Sequence, residues 1–183
     1  HWVSAPQGLV FAAPSIKTAL RLSVPLGARL ALAEHDEKFF ALMDGSGFIH
    51  RRHARPLDSW ATDPVTVAEG LLGTPYLWGG RTRAGIDCSG LVQQALMACG
   101  IEAPRDSDQQ QALGQPVPER DWSALRRGDI VFFPGHVGLM ADESRLLHAN
   151  AFWMSTVIEP LADVVERLKP DLEAPITCVR RLA

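Results

Sequence analysis

The stretch from residue 130 to residue 149 constrains this chain most. Apolar runs at 130–133, 137–140 and 145–149 are separated only by turn signals at Pro134-Gly135 and at 141–144. Links this short join antiparallel strands, because a parallel pair needs a crossover of about a dozen residues or more. Strand signals at 155–158 and 176–181 follow, with a helix signal at 161–169 ended by Pro170. The strands cluster after the helices instead of alternating with them. The expected class is therefore α+β with an antiparallel sheet.

The strongest helix signal lies at 88–99. Asp87 stands at the cap position, Leu91, Val92, Ala95, Leu96 and Cys99 share one face, and Gly100 sits at the stop. A shorter helix is expected after Asp63, a second cap candidate, with Pro64 at the first helical position and Gly73 at its end. Residues 58–65 read as a linker between two regions. Upstream of it, short apolar clusters at 8–11, 20–24, 29–33, 38–43 and 48–49 are split by Pro14, Pro25-Leu26-Gly27, His35-Asp36-Glu37 and Asp44-Gly45-Ser46-Gly47. Such closely spaced strands predict a small β-barrel. Arg51, Arg52, His53 and Arg55 form a basic run there, read as a solvated surface.

With 183 residues, 46% of them apolar, the chain has material for one domain or two small ones. A net charge of −3 argues against binding nucleic acid or an anionic membrane. No apolar run approaches the ~20 residues of a membrane span. The three cysteines, Cys88, Cys99 and Cys178, cannot all pair with one another. Free thiols and the lack of a visible secretory leader point to a reducing, cytoplasmic setting. The chain begins at His1 and not at Met, so a missing upstream segment is also expected, and removal of a leader would place the protein outside the cytoplasm.

Chemistry begins at Cys88. A cysteine in the first helical turn meets free backbone N–H groups and the positive end of the helix dipole, which favour a thiolate and can hold an oxyanion. The alternative is a cysteine that merely fills the core, and Cys99 and Cys178, on an apolar helix face and in a strand, fit that alternative. A nucleophile needs a base and the base needs an orienting group. His136 opens one predicted strand and His148 lies on the next, within neighbouring rungs of an antiparallel pair. His136 would take the thiol proton and His148 would fix its tautomer, unless both are structural. Cys88, His136 and His148 are too widely spaced for a sequence-encoded zinc site, and no glycine pattern forms a phosphate or dinucleotide cradle. No metal or cofactor is expected.

Five blocks then carry a resemblance. They are Pro75-Tyr76-Leu77-Trp78-Gly79-Gly80, Asp87-Cys88-Ser89-Gly90-Leu91-Val92, Pro104-Arg105-Asp106-Ser107 with Gln110, Arg127-Gly128-Asp129-Ile130-Val131-Phe132-Phe133, and His136-Val137-Gly138-Leu139 with His148-Ala149-Asn150-Ala151. In this order, over residues 64–183, they resemble the NlpC/P60 cysteine peptidases. Residues 1–58, through Pro25-Leu26-Gly27-Ala28, Phe39-Phe40-Ala41-Leu42 and Gly47-Phe48-Ile49, resemble a bacterial SH3-like domain.

The resemblance implies a papain-like fold with Cys88 as nucleophile, His136 as base and then acid, and His148 as third member. It implies Tyr76 beside the nucleophile, with its hydroxyl on the reacting carbonyl or the oxyanion; a core tyrosine is the alternative. Asp87 and Ser89 would line the cleft, though a plain helix cap suits Asp87 equally. Family members cut bacterial cell-wall peptides, usually between D-γ-glutamate and a diamino acid. The Arg-Asp-Ser version at 105–107 resembles the subgroup that needs a free N-terminal L-Ala. There the Asp106 carboxylate would pair with the ammonium and Ser107 would add an acceptor, unless Asp106 is an exposed loop acid or a cap. In that subgroup the SH3-like region walls off one end of the cleft, and a further upstream module can complete the amine pocket. Trp153 either belongs to the cleft wall or packs. The implied partner is a peptide such as L-Ala-γ-D-Glu-diaminopimelate. An exported hydrolase of intact wall and a non-catalytic peptide-binding module are the competing readings.

Overall fold

The computed structural model describes residues 1–182, apart from the side chains at 120 and 121. Ala183, the last residue of the predicted second domain, lies outside the described residues. The chain divides into two compact units, His1–Ala61 and a second unit that starts at Thr62.

The first unit contains β1 (Trp2–Val3), β2 (Gln7–Phe11), β3 (Leu20–Pro25), β4 (Leu32–Glu34), β5 (Phe39–Leu42), β6 (Phe48–His50) and β7 (Ala54–Arg55). Five of them form a sheet in the order β3-β2-β6-β5-β4, and β1 pairs with β7. Val3, Val10, Phe40, Leu42 and Ile49 make the core. Gly45, at φ 75° in the turn between β5 and β6, occupies the left-handed region that a tight hairpin turn needs.

The expected barrel is corrected here. The sheet is open, because no pairing among the described residues joins β3 to β4. The reason is the character of those edges. Leu20 and Leu22 on β3 are exposed and β4 is short, so beyond Val24 and Leu32 these edges offer little apolar surface to close upon. The basic run is partly self-satisfied: Arg51 pairs with Glu34 and lies 4.1 Å over the Phe40 ring.

The second unit opens with α1 (Pro64–Glu69), whose cap Asp63 accepts the Val65 N–H at 2.9 Å. A small ribbon, β8 (Arg81–Thr82) and β9 (Gly85–Ile86), leads into α2 (Cys88–Ala98), and α3 (Ser107–Gln110) follows. Then come β10 (Gln115–Pro116), β11 (Ile130–Phe133), β12 (His136–Met140), β13 (Arg145–Asn150), β14 (Ser155–Pro160), α4 (Leu161–Leu168) and β15 (Cys178–Arg181). The six strands form one antiparallel sheet in the order β10-β15-β11-β12-β13-β14.

Helix α2 packs against β12 and β13. The sequence suggests one apolar face, yet every residue of α2 except Met97 is buried, including Gln93 and Gln94. It is a central helix. Gln93 donates its side-chain amide N–H to the Ala103 carbonyl at 2.8 Å. On the opposite side of the sheet, α4 covers a cluster of Val131, Phe133, Met140, Leu146 and Val179 with Val164.

The Arg127-Gly128-Asp129 block is structural glue. Arg127 donates to Asp63 at 2.8 Å and to Glu69 at 2.9 Å, tying α1 to the start of the sheet. Asp129, almost wholly buried, accepts two hydrogen bonds from Arg181 at 2.7 and 2.6 Å. That pair clamps the end of β15 beside β11.

Candidate active site

The Cys88 end of α2 is held by its cap. Asp87 Oδ1 accepts the Gly90 N–H at 2.7 Å, and Asp87 Oδ2 accepts the Gly79 N–H at 2.8 Å. Gly90 is required by crowding: a Cβ there would stand 2.4 Å from the Gly80 carbonyl oxygen and 2.8 Å from Asp87 Oδ1. The Gly79-Gly80 loop and the helix start therefore form one unit around Asp87.

Cys88 is 7% exposed. Burial pushes its thiol up, and the Asp87 charge adds to that; the N–H groups of Val137, Ser89 and Cys88 itself pull it back without prevailing. The sequence expectation that a helix start favours the thiolate is thus outweighed by desolvation. The Val137 N–H contact also sets Cys88 against the residue that follows His136.

His136 and His148 are brought together. His136 Nε2 lies 2.8 Å from His148 Nδ1, with the rings edge-on and their centroids 5.1 Å apart. Strand register is the cause. Leu139 pairs with Leu147 and Met140 with Leu146, so Gly138 comes up beside His148 and His136 lies one same-face step away. A Cβ on Gly138 would sit 3.0 Å from His148 Cβ and 2.9 Å from the Leu146 side chain. The missing side chain lets the two imidazoles meet. Burial pulls the His136 basicity well down, helped by His148 and Arg167 and opposed by Glu159. His148, 1% exposed, is likewise pulled down by burial, against the pull of Glu159.

Tyr76 is half-buried, with its backbone N–H on the Met154 carbonyl at 3.0 Å. Burial raises its phenol, and Cys88 and Asp87 push the same way, which places the ring within electrostatic reach of the thiol. Among the described residues its hydroxyl makes no hydrogen bond.

The Arg105–Ser107 block lies against the helix start. Arg105 donates to Asp87 at 3.0 and 2.6 Å and to Ser89 Oγ at 2.9 Å. Gln110 on α3 donates to the carbonyls of Ser89 and Pro104, both at 2.9 Å. Asp87 and Ser89 are thereby engaged as cap and anchor, and both are buried. Asp106 is exposed and stands at the cap position of α3 without making a side-chain capping bond. Ser107 opens α3 beside it.

Three further residues join the histidines and escaped the sequence reading. His148 Nε2 lies 2.8 Å from Glu159 Oε1 and 3.0 Å from Asn150 Nδ2. Arg167 donates to both Glu159 oxygens, at 3.1 and 2.7 Å, and stacks 4.2 Å over the Phe152 ring. Burial opposes the Glu159 charge, but donors on Arg167, His148 and Trp153 outweigh it and hold the carboxyl below its ordinary range. The available signal was a lone acid on a strand that faces His148. Trp153 donates its backbone N–H to Asn150 Oδ1 at 2.8 Å, while its side chain is exposed.

Among the described residues no group of three His, Cys, Asp or Glu side chains is placed to hold a metal, and no helix is long and apolar enough to cross a membrane.

A buried cysteine at a helix start, set against two paired strands that each carry one histidine, has the residue types that a cysteine hydrolase site requires. Comparison with known proteins agrees. The NlpC/P60 family model matches residues 73–162. The chain is 33% identical over 120 residues to the probable endopeptidase NlpC of Escherichia coli, covering 57% of this chain and 75% of that protein. It is 33% identical over 132 residues to a γ-D-glutamyl-L-lysine dipeptidyl-peptidase of Bacillus subtilis, covering 66% of this chain and 44% of that one. A crystal structure of an NlpC/P60 family protein from Bacillus cereus superposes with a TM-score of 0.78 at 26% identity, over 98% of this chain and 62% of the other. The chain belongs to the NlpC/P60 family. It spans under half the length of the Bacillus subtilis relative.

Proposed function

We propose that this protein is a cysteine peptidase that hydrolyses the γ-D-glutamyl–diamino acid bond of murein stem peptides bearing a free N-terminal L-Ala. The observation that carries the proposal is the meeting of the His136–His148 pair with the strand residue, Val137, that touches the Cys88 thiol. The relative named for γ-D-glutamyl-L-lysine cleavage supports the bond. The exposed, uncapped Asp106 supports the amine requirement: a carboxylate not engaged in its own helix is available to an ammonium. Cytoplasmic recycling of released peptides is the setting this substrate suits.

In this reading His136 takes the Cys88 proton as sulfur attacks the γ-carbonyl. The Cys88 N–H and the Tyr76 hydroxyl receive the oxyanion. As the C–N bond breaks, His136 gives the proton to the leaving amine. A thioester remains until water, deprotonated by His136, hydrolyses it and restores the thiol. The products are L-Ala-γ-D-Glu and a peptide or amino acid beginning with the diamino acid.

The test uses L-Ala-γ-D-Glu-diaminopimelate and its N-acetylated form, with products read by mass spectrometry. Cleavage of the free-amine peptide alone is the expected outcome. Equal cleavage of both favours a hydrolase of intact wall. Binding without cleavage, with an intact thiol, favours a peptide-binding module.

A further inference from the structure

We infer that Glu159, gripped by Arg167, is a positioning residue that sets the tautomer of both histidines and so leaves Nδ1 of His136, the ring nitrogen not engaged by His148, bare. This rests on the reading of Cys88 and His136 as nucleophile and base.

The argument is one of hydrogen-bond polarity. His148 Nε2 has two polar neighbours, Glu159 Oε1 at 2.8 Å and Asn150 Nδ2 at 3.0 Å. A carboxylate only accepts, so Glu159 requires a proton on Nε2. The Asn150 amide requires the opposite. Its oxygen is taken by the Trp153 N–H at 2.8 Å, which turns its NH₂ group toward His148, where it calls for a lone pair. One nitrogen cannot satisfy both.

Charge decides the contest. Arg167 grips both Glu159 oxygens, and a hydrogen bond to an ionised acceptor is roughly twice as strong as a neutral one. His148 is then protonated on Nε2 and bare on Nδ1. Nδ1 faces His136 Nε2 at 2.8 Å, so that nitrogen must carry the donated proton. A neutral His136 protonated on Nε2 is bare on Nδ1, the one ring nitrogen left to accept a proton from sulfur. When it does, the imidazolium formed is braced through His148 by the Glu159 charge. Among the described residues, the charged groups that act on both histidines are Glu159 from β14 and Arg167 from α4.

Removal of the carboxylate hands Nε2 of His148 to Asn150. His148 then carries its proton on Nδ1 and donates to His136 Nε2. His136 in turn holds its proton on Nδ1 and can no longer act as a base in that form.

Two-bond ¹H–¹⁵N spectra of histidine-labelled protein read the tautomers without any substrate, with His136→Gln and His148→Gln assigning the signals. The wild type should show both rings protonated on Nε2 at pH 8. Glu159→Leu should move both to Nδ1 and lower kcat on the free-amine peptide about a hundredfold or more, with KM little changed. Glu159→Asp should keep the wild-type tautomers and recover much of the rate. If Glu159→Leu fails to fold because the half-buried Arg167 is left unpaired, Glu159→Leu/Arg167→Leu removes both charges and should give the same inversion. A wild type with His148 protonated on Nδ1, or a folded variant that keeps both tautomers and the rate, overturns the inference. Wild-type tautomers as stated in a protein that cleaves neither peptide would sink the substrate reading and leave the relay standing.

Discussion

Arg105 holds both carboxylate oxygens of Asp87, at 3.0 and 2.6 Å, one residue before the candidate nucleophile. The contact joins two sequence blocks far apart in the chain and explains why an arginine precedes Asp106. Its guanidinium belongs to the helix start, and it leaves the next carboxylate facing out. Asp87 is 6% exposed, so loss of the arginine strands a buried carboxylate. Arg105→Met should lower unfolding free energy by about 2–4 kcal/mol in urea titrations, and Arg105→Lys by less. An unchanged midpoint for Arg105→Met would show that the cap alone holds Asp87.

Gly138 is a second point where a small change should reach the site. An added Cβ meets Leu146 at 2.9 Å and His148 Cβ at 3.0 Å. Both neighbours are fully buried and have little room to yield. Gly138→Ala should cost about 1–3 kcal/mol of stability and part the two imidazoles. Thermal unfolding and kcat together check this: both should fall, and kcat should fall even where the protein remains folded.

These particulars show what was legible in the sequence. Helix α2 was readable because cap, apolar face and stop agree at Asp87, Leu91 and Gly100. The histidine pair was readable because a short turn forces β12 onto β13. Glu159 and Arg167 were not, since they reach His148 only through the β13–β14 register, which pairs His148 with Val157. A register is set by packing on both faces, which a single sequence does not display. The open first sheet was missed for a related reason. Turn signals mark where β3 and β4 end, but closure depends on apolar edges, and Leu20 and Leu22 stay exposed.

The titration behaviour of the site has a definite sign. Burial raises the Cys88 thiol and lowers His136, so the expected state at neutral pH is a thiol beside a neutral imidazole and not an ion pair. Alkylation of Cys88 by iodoacetamide should be slow at pH 6–7 and rise with a midpoint above the ~8.5 of a free cysteine. A fast, pH-independent reaction below pH 7 would show an ion pair instead.

Stability should follow the same histidines. Both have folded-state values below the ordinary one, so from about pH 6.5 downward the unfolded chain binds protons that the native state refuses. Stability is then lost on acidification, by at most about 1.4 kcal/mol per pH unit for each histidine. Glu159, whose carboxyl is held low, adds to the loss at still lower pH. Denaturation midpoints between pH 7 and pH 5 should show a steeper fall for the wild type than for His136→Gln/His148→Gln.

Tyr76 separates catalysis from packing. Its hydroxyl has no hydrogen-bond partner among the described residues, so deletion of that oxygen removes nothing that the folded state uses. Tyr76→Phe should therefore unfold within about 0.5 kcal/mol of the wild type. Its phenol is raised by burial and by the charges of Cys88 and Asp87, so it stays protonated and able to donate across the working pH range. A donor that meets charge only as the carbonyl becomes an oxyanion acts on the transition state and not on substrate binding. The variant should lose about a hundredfold in kcat with KM nearly unchanged. A matching rise in KM with kcat preserved would instead make Tyr76 a wall of the peptide site, and loss of stability would return it to the core.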